Sequence, residues 1–207
     1  MADVILFHSA LGLRPAVLDL AERLRAAGHT VHVPDLYAET DGPGGAGTAA
    51  PVVTDDTQKA AELVESVGRE ELLRRAARAA APHSERRPVY AGLSLGASLA
   101  QTVALGDSRA RGLLLLHGTA DLPEDASAPD LPAQLHIADP DPFEPHDWQT
   151  AWYLGMRRAG VDLEVFRYPG AGHLYTDPDL PDHDAEATER TLTIALDFLA
   201  ELDAAGE

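Results

Sequence analysis

Short apolar runs of strand length alternate along this chain with segments in which apolar residues recur every three or four positions. Runs that are apolar nearly throughout are typical of parallel strands covered on both faces. Because such strands alternate with helices, we predict right-handed crossovers and an α/β fold with a doubly wound, mostly parallel sheet flanked by helices. About six strands are expected, at residues 3–8, 30–34, 88–93, 112–117, 133–138 and 162–168.

The helix-like segments carry recognisable start and stop signals. In residues 15–27, Pro15 suits a first helical turn and Gly28 suits the end of the helix. The same apolar period recurs in residues 70–80 and 185–202. Because the 207 residues show no internal repeat and no dividing linker, we predict a single domain over residues 1–207.

Residues 38–51 differ from the rest of the chain, because they are rich in glycine and follow no apolar period. This composition predicts a flexible surface loop. The segment follows the second predicted strand, however, and the carboxyl ends of parallel strands face the ligand crevice. A lid over that crevice is therefore the alternative interpretation.

The net charge of the chain limits which classes of molecule can be its binding partners. It carries 34 acidic and 16 basic side chains, a net charge of −18, which repels nucleic acids and anionic membranes. The absence of cysteine excludes a disulfide scaffold and a cysteine nucleophile. No clustered ligands or phosphate-binding glycine loop indicate a metal or cofactor, so we expect none. Without a signal peptide or an apolar run of membrane-spanning length, a cytoplasmic location is the default expectation.

The strongest chemical signal is the sequence Gly-Leu-Ser-Leu-Gly at residues 92–96. It lies between a predicted strand and a helix-like stretch, which is the context of a nucleophile elbow. The small glycines allow a sharp turn from which the hydroxyl of Ser94 projects. The amide of Leu95, in the first helical turn, lacks an intrahelical acceptor and can stabilise an oxyanion. The alternative is a glycine-rich turn with an incidental serine.

A serine nucleophile needs a base, and His173 is the best candidate among the nine histidines. It lies in a glycine-rich loop after the last predicted strand, whereas nearby His183 fits a solvated helix start. The third member must be a carboxylate that orients the imidazole. Asp139 and Asp141 both follow the strand at residues 133–138, in a loop stiffened by prolines, and the residues alone leave both open.

The order serine, acid, histidine along the chain is that of the α/β-hydrolases. In that fold, a second oxyanion donor comes from the turn after an earlier strand. Here that turn begins at His8, and the amides of Ser9 and Ala10 are the candidates. The alternative is that the side chains of His8 and Ser9 line the crevice and take no part in catalysis.

Several segments, in order, resemble the dienelactone hydrolase family, and the resemblance implies its fold without a large cap domain. It also favours Asp141 over Asp139 as the acid, because the family acid precedes Pro-Phe. We further predict that Leu11, Tyr37 and Tyr175, in or beside these segments, contact the substrate. The matching segments are residues 8–13, 27–37, 92–96, 141–143 and 168–173.

The chain departs from the family pattern at three positions. Ser94 replaces the family's cysteine nucleophile, and Ser9 stands where the family has a glutamate that interacts with the nucleophile. Asp177 stands where the family has an arginine that holds a substrate carboxylate. The resemblance therefore implies the fold and the triad, while an anionic substrate is not expected.

These observations predict a serine hydrolase that cleaves a small-molecule ester, thioester or lactone through an acyl-serine intermediate. Two alternatives remain open at this point. A hydrolase-fold binding protein could keep the same residues without turnover, and an acyltransferase could pass the acyl group to an acceptor other than water.

Overall fold

A computed structural model of the protein describes residues 1–38 and 52–205. The loop or lid expected at residues 38–51 lies outside the described residues from residue 39 onward. Six strands form one parallel sheet, with the strand order β2-β1-β3-β4-β5-β6. The prediction of a doubly wound α/β fold is confirmed. The strands are β1 (Asp3–Phe7), β2 (Thr30–His32), β3 (Val89–Leu93), β4 (Gly112–Leu116), β5 (Pro132–Asp139) and β6 (Asp162–Pro169).

The described part of the chain also contains six α-helices and one 3₁₀ helix, all of which lie between strands except the last helix, which follows β6. None of the helices in residues 1–38 and 52–205 combines the length and the apolar composition that crossing a membrane requires. The helices are α1 (Pro15–Ala26), α2 (Thr57–Val67), α3 (Arg69–Ala80), α4 (Leu95–Gly106), α5 (His146–Arg158) and α6 (Ala185–Ala205), and the 3₁₀ helix is Ala81–Arg86.

Hydrophobic side chains cover both faces of the sheet, because alternate residues of each strand point to opposite sides. On one face, Ile5 and Phe7 of β1 pack in a core with α3, α4 and α5. On the other face, Val4 and Leu6 pack in a core with α1 and α6. This two-sided burial explains why the sequence runs are apolar nearly throughout instead of alternating.

The apolar periods of the sequence did not predict helix α2, and they predicted a longer strand β2 than the structure has. In α2 only Ala60 is buried, so the helix has little apolar period to detect, although Asp56 caps it by accepting hydrogen bonds from the amides of Gln58 and Lys59. Strand β2 ends at His32, two residues before Pro34, which has no N–H to donate to a neighbouring strand.

The parallel sheet brings the ends of its strands to one edge. The turn after β1, the turn after β3 and the loops after β5 and β6 all leave from the carboxyl edge. These are the segments that carry the predicted oxyanion, nucleophile, acid and base residues, so the topology places all four groups on the same side of the sheet.

Candidate active site

Ser94 occupies a strained turn between β3 and α4. Its backbone has φ 52° and ψ −112°, which is rare for a residue with a side chain. A Cβ on Gly92 would lie 2.1 Å from the carbonyl oxygen of Gly96, and one on Gly96 would lie 2.2 Å from the carbonyl oxygen of Phe7. The turn therefore requires glycine at both positions, as the elbow sequence suggests.

A chain of hydrogen bonds joins Ser94, His173 and Asp141. The Oγ of Ser94 lies 2.9 Å from Nε2 of His173, and Nδ1 of His173 lies 2.8 Å from Oδ2 of Asp141. The other carboxylate oxygen of Asp141 accepts a hydrogen bond from the amide of Phe143 at 2.9 Å. If His173 donates from Nδ1 to Asp141, its Nε2 keeps the lone pair that faces the serine hydroxyl.

The two aspartates of the loop after β5 have different surroundings. Asp141 is buried beside His173, whereas Asp139 is partly exposed and its Oδ1 lies 3.1 Å from Nε2 of His146. The backbone carbonyl of Asp139 accepts a hydrogen bond from Gly170. The structure therefore places Asp141, and not Asp139, beside His173.

Hydrogen bonds hold the turn after β1 in place. Nδ1 of His8 lies 2.8 Å from the carbonyl oxygen of Ser9, and Nε2 of His8 accepts a hydrogen bond from the amide of Leu36 at 2.9 Å. The hydroxyl of Tyr37 donates to the carbonyl oxygen of Ala10 at 2.8 Å. The segment after β2 thus fixes the turn that carries the two predicted oxyanion donors.

A cleft of about 1260 Å³ opens above Ser94 and His173. Ser9, Ala10 and Leu95 line it, so the structure brings the three predicted oxyanion residues close to Ser94. Its walls come from α2, the loop after β4 and the start of α5. Further lining residues include Leu11, Thr57, Ala60, Ala61, Val64, Gly68, Ser98, Gly118, Thr119, Ala120, Phe143, Trp148, Leu174, Leu180 and Pro181.

The three predicted substrate-contacting residues have different places. Leu11 lines the cleft, but Tyr37 and Tyr175 are not among its described lining residues. Tyr37 supports the turn after β1, as described above. Tyr175 is fully buried, with its hydroxyl 2.7 Å from Oγ1 of Thr191 and its ring edge-on to His117. Both tyrosine hydroxyls are thus engaged within the fold.

Asp177 lies outside the cleft and is paired with a cation. Its carboxylate accepts hydrogen bonds from Nε of Arg14 at 2.5 Å and from Nη2 at 3.3 Å, and both side chains are buried. The proximity of Asp177 raises the pKa of Arg14. Asp177 therefore does not line the cleft, and the inference drawn from this residue against an anionic substrate was wrong.

Other carboxylates give the cleft its charge. The described lining contains a single arginine, Arg69, against the acidic residues Asp55, Glu65, Asp121, Glu144 and Asp182. An acidic cleft opposes an anionic substrate in the way that was expected of Asp177.

Glu144 is a functional candidate that the sequence patterns did not single out. Its carboxylate accepts hydrogen bonds from the amide and the hydroxyl of Thr119, and that hydroxyl accepts one from Nε1 of Trp148. Burial raises the pKa of Glu144, and the hydrogen bonds from Thr119 oppose this shift. A glutamate between Phe143 and Pro145 resembles a solvated turn residue, so only its burial in the fold marks it.

The structure resembles solved hydrolases over nearly its whole length. It superposes on a dienelactone hydrolase-like promiscuous phosphotriesterase from metagenomic libraries with a TM-score of 0.80 and 21% identity, covering 98% of this chain and 87% of that one. For esterase PE8 the TM-score is 0.69 at 18% identity, with 97% and 92% covered. For dienelactone hydrolase from Anabaena variabilis it is 0.62 at 17% identity, with 97% and 86% covered.

Comparison with curated proteins found no match. The sequence model of the dienelactone hydrolase family, in contrast, matches residues 1–202, which include the whole of the candidate site. The chain therefore belongs to the dienelactone hydrolase family.

Proposed function

We propose that this protein is a serine hydrolase that cleaves esters, thioesters or lactones through an acyl-serine intermediate. The observation that carries the proposal is the unbroken hydrogen-bond chain from Ser94 through His173 to Asp141, which opens into a large cleft. A serine hydroxyl is a weak nucleophile, and this chain supplies the adjacent base and the carboxylate that orients it.

In the first half of the reaction, Nε2 of His173 takes the proton of Ser94 as Oγ attacks the carbonyl carbon. The negative charge that develops on the carbonyl oxygen is stabilised by the amide of Leu95 and by an amide of Ser9 or Ala10. As the tetrahedral intermediate collapses, His173 gives its proton to the departing alcohol or thiol, and the acyl group stays on Ser94.

In the second half, His173 takes a proton from water, and the resulting hydroxide attacks the acyl-serine. Collapse returns the proton to Ser94 and releases the carboxylic acid. Asp141 stays ionised throughout and stabilises the imidazolium that forms in each half. The mechanism as proposed uses only these residues, the substrate and water.

The cleft also supports an expectation about the substrate. Acidic side chains predominate along its described walls, and the whole chain carries a net charge of −18. Both favour a neutral or cationic ester over one that bears a carboxylate. The volume of about 1260 Å³ accommodates a molecule larger than a simple acetate.

The test is turnover of a nitrophenyl acetate by the wild-type protein and by Ser94→Ala. Loss of the nucleophile should lower kcat by about 10⁶-fold where the complete triad operates. Ser66→Ala is the matched control, because its hydroxyl donates to the carbonyl oxygen of Leu63 outside the cleft, and it should keep full activity. Intact mass after a fluorophosphonate probe should increase for the wild type and stay constant for Ser94→Ala.

The other outcomes separate the alternatives. Substantial turnover by a folded Ser94→Ala protein would refute the covalent mechanism. A wild-type protein that neither turns over esters nor takes the probe would be a binding protein with idle residues. Faster release of nitrophenol when alcohols or amines are added, with the acyl group found on them, would identify an acyltransferase.

A further inference from the structure

Three polar side chains meet at the end of β1 that lies opposite the candidate active site. Asp3 begins β1, His32 ends β2 and His83 lies in the 3₁₀ helix. Because His32 pairs with Ile5 in the parallel register, His32 and Asp3 point to the same face of the sheet, the face that α3 and the 3₁₀ helix cover. None of the three lines the catalytic cleft.

One polar atom of each side chain lies close to the polar atoms of the other two. Oδ1 of Asp3 lies 2.9 Å from Nε2 of His32 and 3.9 Å from Nδ1 of His83, and the three atoms lie within 4.8 Å of one another. Each of these three atoms is buried, and although Oδ1 of Asp3 and Nε2 of His32 lie at ion-pair distance, none of the three makes a hydrogen bond of normal geometry. Buried polar atoms are normally satisfied, so three unsatisfied ones at a single point need an explanation.

The surroundings keep these atoms available as ligands. Oδ2 of Asp3 accepts a hydrogen bond from Arg86 at 3.3 Å, which leaves Oδ1 facing the two imidazoles. The two imidazole rings pack against each other beside Asp3, with centroids 3.8 Å apart and ring planes tilted by 35°.

We infer that Asp3, His32 and His83 form a binding site for one divalent transition-metal ion, with Zn²⁺ as the best fit. Two imidazole nitrogens and a carboxylate oxygen form a ligand set that suits zinc and its neighbours, whereas Ca²⁺ and Mg²⁺ prefer oxygen ligands throughout. Bonds of about 2.0–2.1 Å place neighbouring ligand atoms roughly 2.9–3.4 Å apart. The 2.9 Å separation already fits this range, whereas the 3.9 Å separation and that between the two histidine nitrogens, which is at most 4.8 Å, must adjust on binding.

The site would act as a cross-link within the fold. It joins the start of β1, the end of β2 and the 3₁₀ helix, segments far apart in sequence. Water completes the coordination, since the side chain of His32 is 30% exposed and leaves a route from solvent. A bound ion stabilises the folded chain by mass action, because the unfolded chain does not hold the three ligands together. This inference does not depend on the proposed hydrolase activity.

The experiment is calorimetric titration of metal-free, full-length protein with Zn²⁺, together with thermal unfolding. We expect one ion per chain and a rise in Tm of roughly 5–10 °C at a hundredfold excess over Kd. His32→Gln and His83→Gln should each weaken binding more than the roughly 10–100-fold that loss of an outer-shell partner costs. Replacing Zn²⁺ by Co²⁺ should give visible absorption bands that both variants lose.

His146→Gln is the matched control, because His146 also lies beside an aspartate, Asp139, but has no second histidine in a described cluster. Its affinity for Zn²⁺ should equal that of the wild type. Circular dichroism and Tm without metal show whether each variant is folded, and Asp3→Asn provides a third, independent removal of a ligand. Absence of stoichiometric binding, or equal binding by wild type and by the His32→Gln/His83→Gln double variant, would overturn the inference.

Discussion

The buried ion pair between Arg14 and Asp177 should contribute strongly to stability, and Asp177→Asn tests this directly. The pair links the loop before α1 to the loop after His173, and the two side chains are only 9% and 8% exposed. Asn keeps the shape of the side chain and removes its charge. The guanidinium of Arg14 then loses its hydrogen-bonded carboxylate, although it still donates to the carbonyl oxygen of Thr54, and Asp55 and Asp179 remain nearby.

Breaking one side of a buried ion pair typically costs about 3–5 kcal/mol, because the remaining charge has lost both water and its partner. For a chain of this length, 1 kcal/mol corresponds to about 2–4 °C in Tm. We therefore expect Asp177→Asn to lower Tm by roughly 6–20 °C. Urea unfolding at constant pH gives the free energy, and thermal unfolding gives the Tm.

Two further variants test whether burial of the ion pair is the cause of the lost stability. Replacing both partners, as in Arg14→Met with Asp177→Leu, should recover most of the lost stability, because no unpaired charge remains. The control is Glu189→Gln, since Glu189 forms a two-point ion pair with Arg23 on the surface, at 2.6 Å and 2.8 Å. Those side chains are 47% and 62% exposed, and we expect no resolvable change in Tm.

Equal losses in Asp177→Asn and Glu189→Gln would refute the reasoning from burial. The pair also changes the outcome of one substitution that the family resemblance suggests. Asp177→Arg places two guanidinium groups together in the interior, so we expect it to destabilise the protein and to leave the preference against anionic esters unchanged.

Three other predictions follow from the structure. Gly96→Ala places a methyl group 2.2 Å from a backbone oxygen of Phe7, so it should lower the free energy of unfolding by about 3 kcal/mol and abolish most of the activity. In the control Gly106→Ala, the added methyl group meets nothing within 4 Å, so the protein should keep its stability. Equal urea midpoints for the two variants would contradict the prediction. Burial lowers the pKa of His136 to about 3, so the unfolded chain binds a proton there below about pH 6.5 while the folded chain does not. Stability should therefore fall as the pH drops from about 6.5 towards 3, by up to about 1.4 kcal/mol per unit from this group, and unchanged slopes in His136→Gln would argue against it. Neutral or cationic esters should have a higher kcat/KM than a matched ester that bears a carboxylate. Added salt should reduce this difference only partly, because screening acts mainly on charges more than about 8 Å apart. Faster turnover of the carboxylate-bearing ester would contradict the inference that the acidic side chains of the cleft disfavour anionic substrates.

Most of the fold was predictable because its strands are buried on both faces. In β4, residues 113–116 are all leucine and all buried, a pattern that leaves little ambiguity. Helix α2 escaped prediction for the opposite reason, since it buries only Ala60. Local patterns reveal an element in proportion to the apolar surface that it buries.

For the candidate site, motifs formed by neighbouring residues in the sequence were more informative than contacts between residues far apart in the sequence. The elbow around Ser94 is a local motif, and its strand and helix lie directly beside it. The partner of Asp177 is 163 positions away, so nothing near Asp177 in the sequence shows that its charge is compensated. The cluster of Asp3, His32 and His83 could not be predicted from the sequence either, because the spacing of these residues matches no metal-binding motif.

The backbone contact between Gly96 and Phe7 divides the cleft into a fixed floor and exchangeable walls. The turn of Ser94 and the turn after β1 approach each other through main-chain atoms so closely that a Cβ on Gly96 would collide with the carbonyl oxygens of Phe7 and His8. The walls from α2 and from the loops near Thr119 and Phe143 present side chains instead. Variation within the family, and laboratory selection for new substrates, should therefore accumulate in these walls, while the floor is inherited as one inflexible unit.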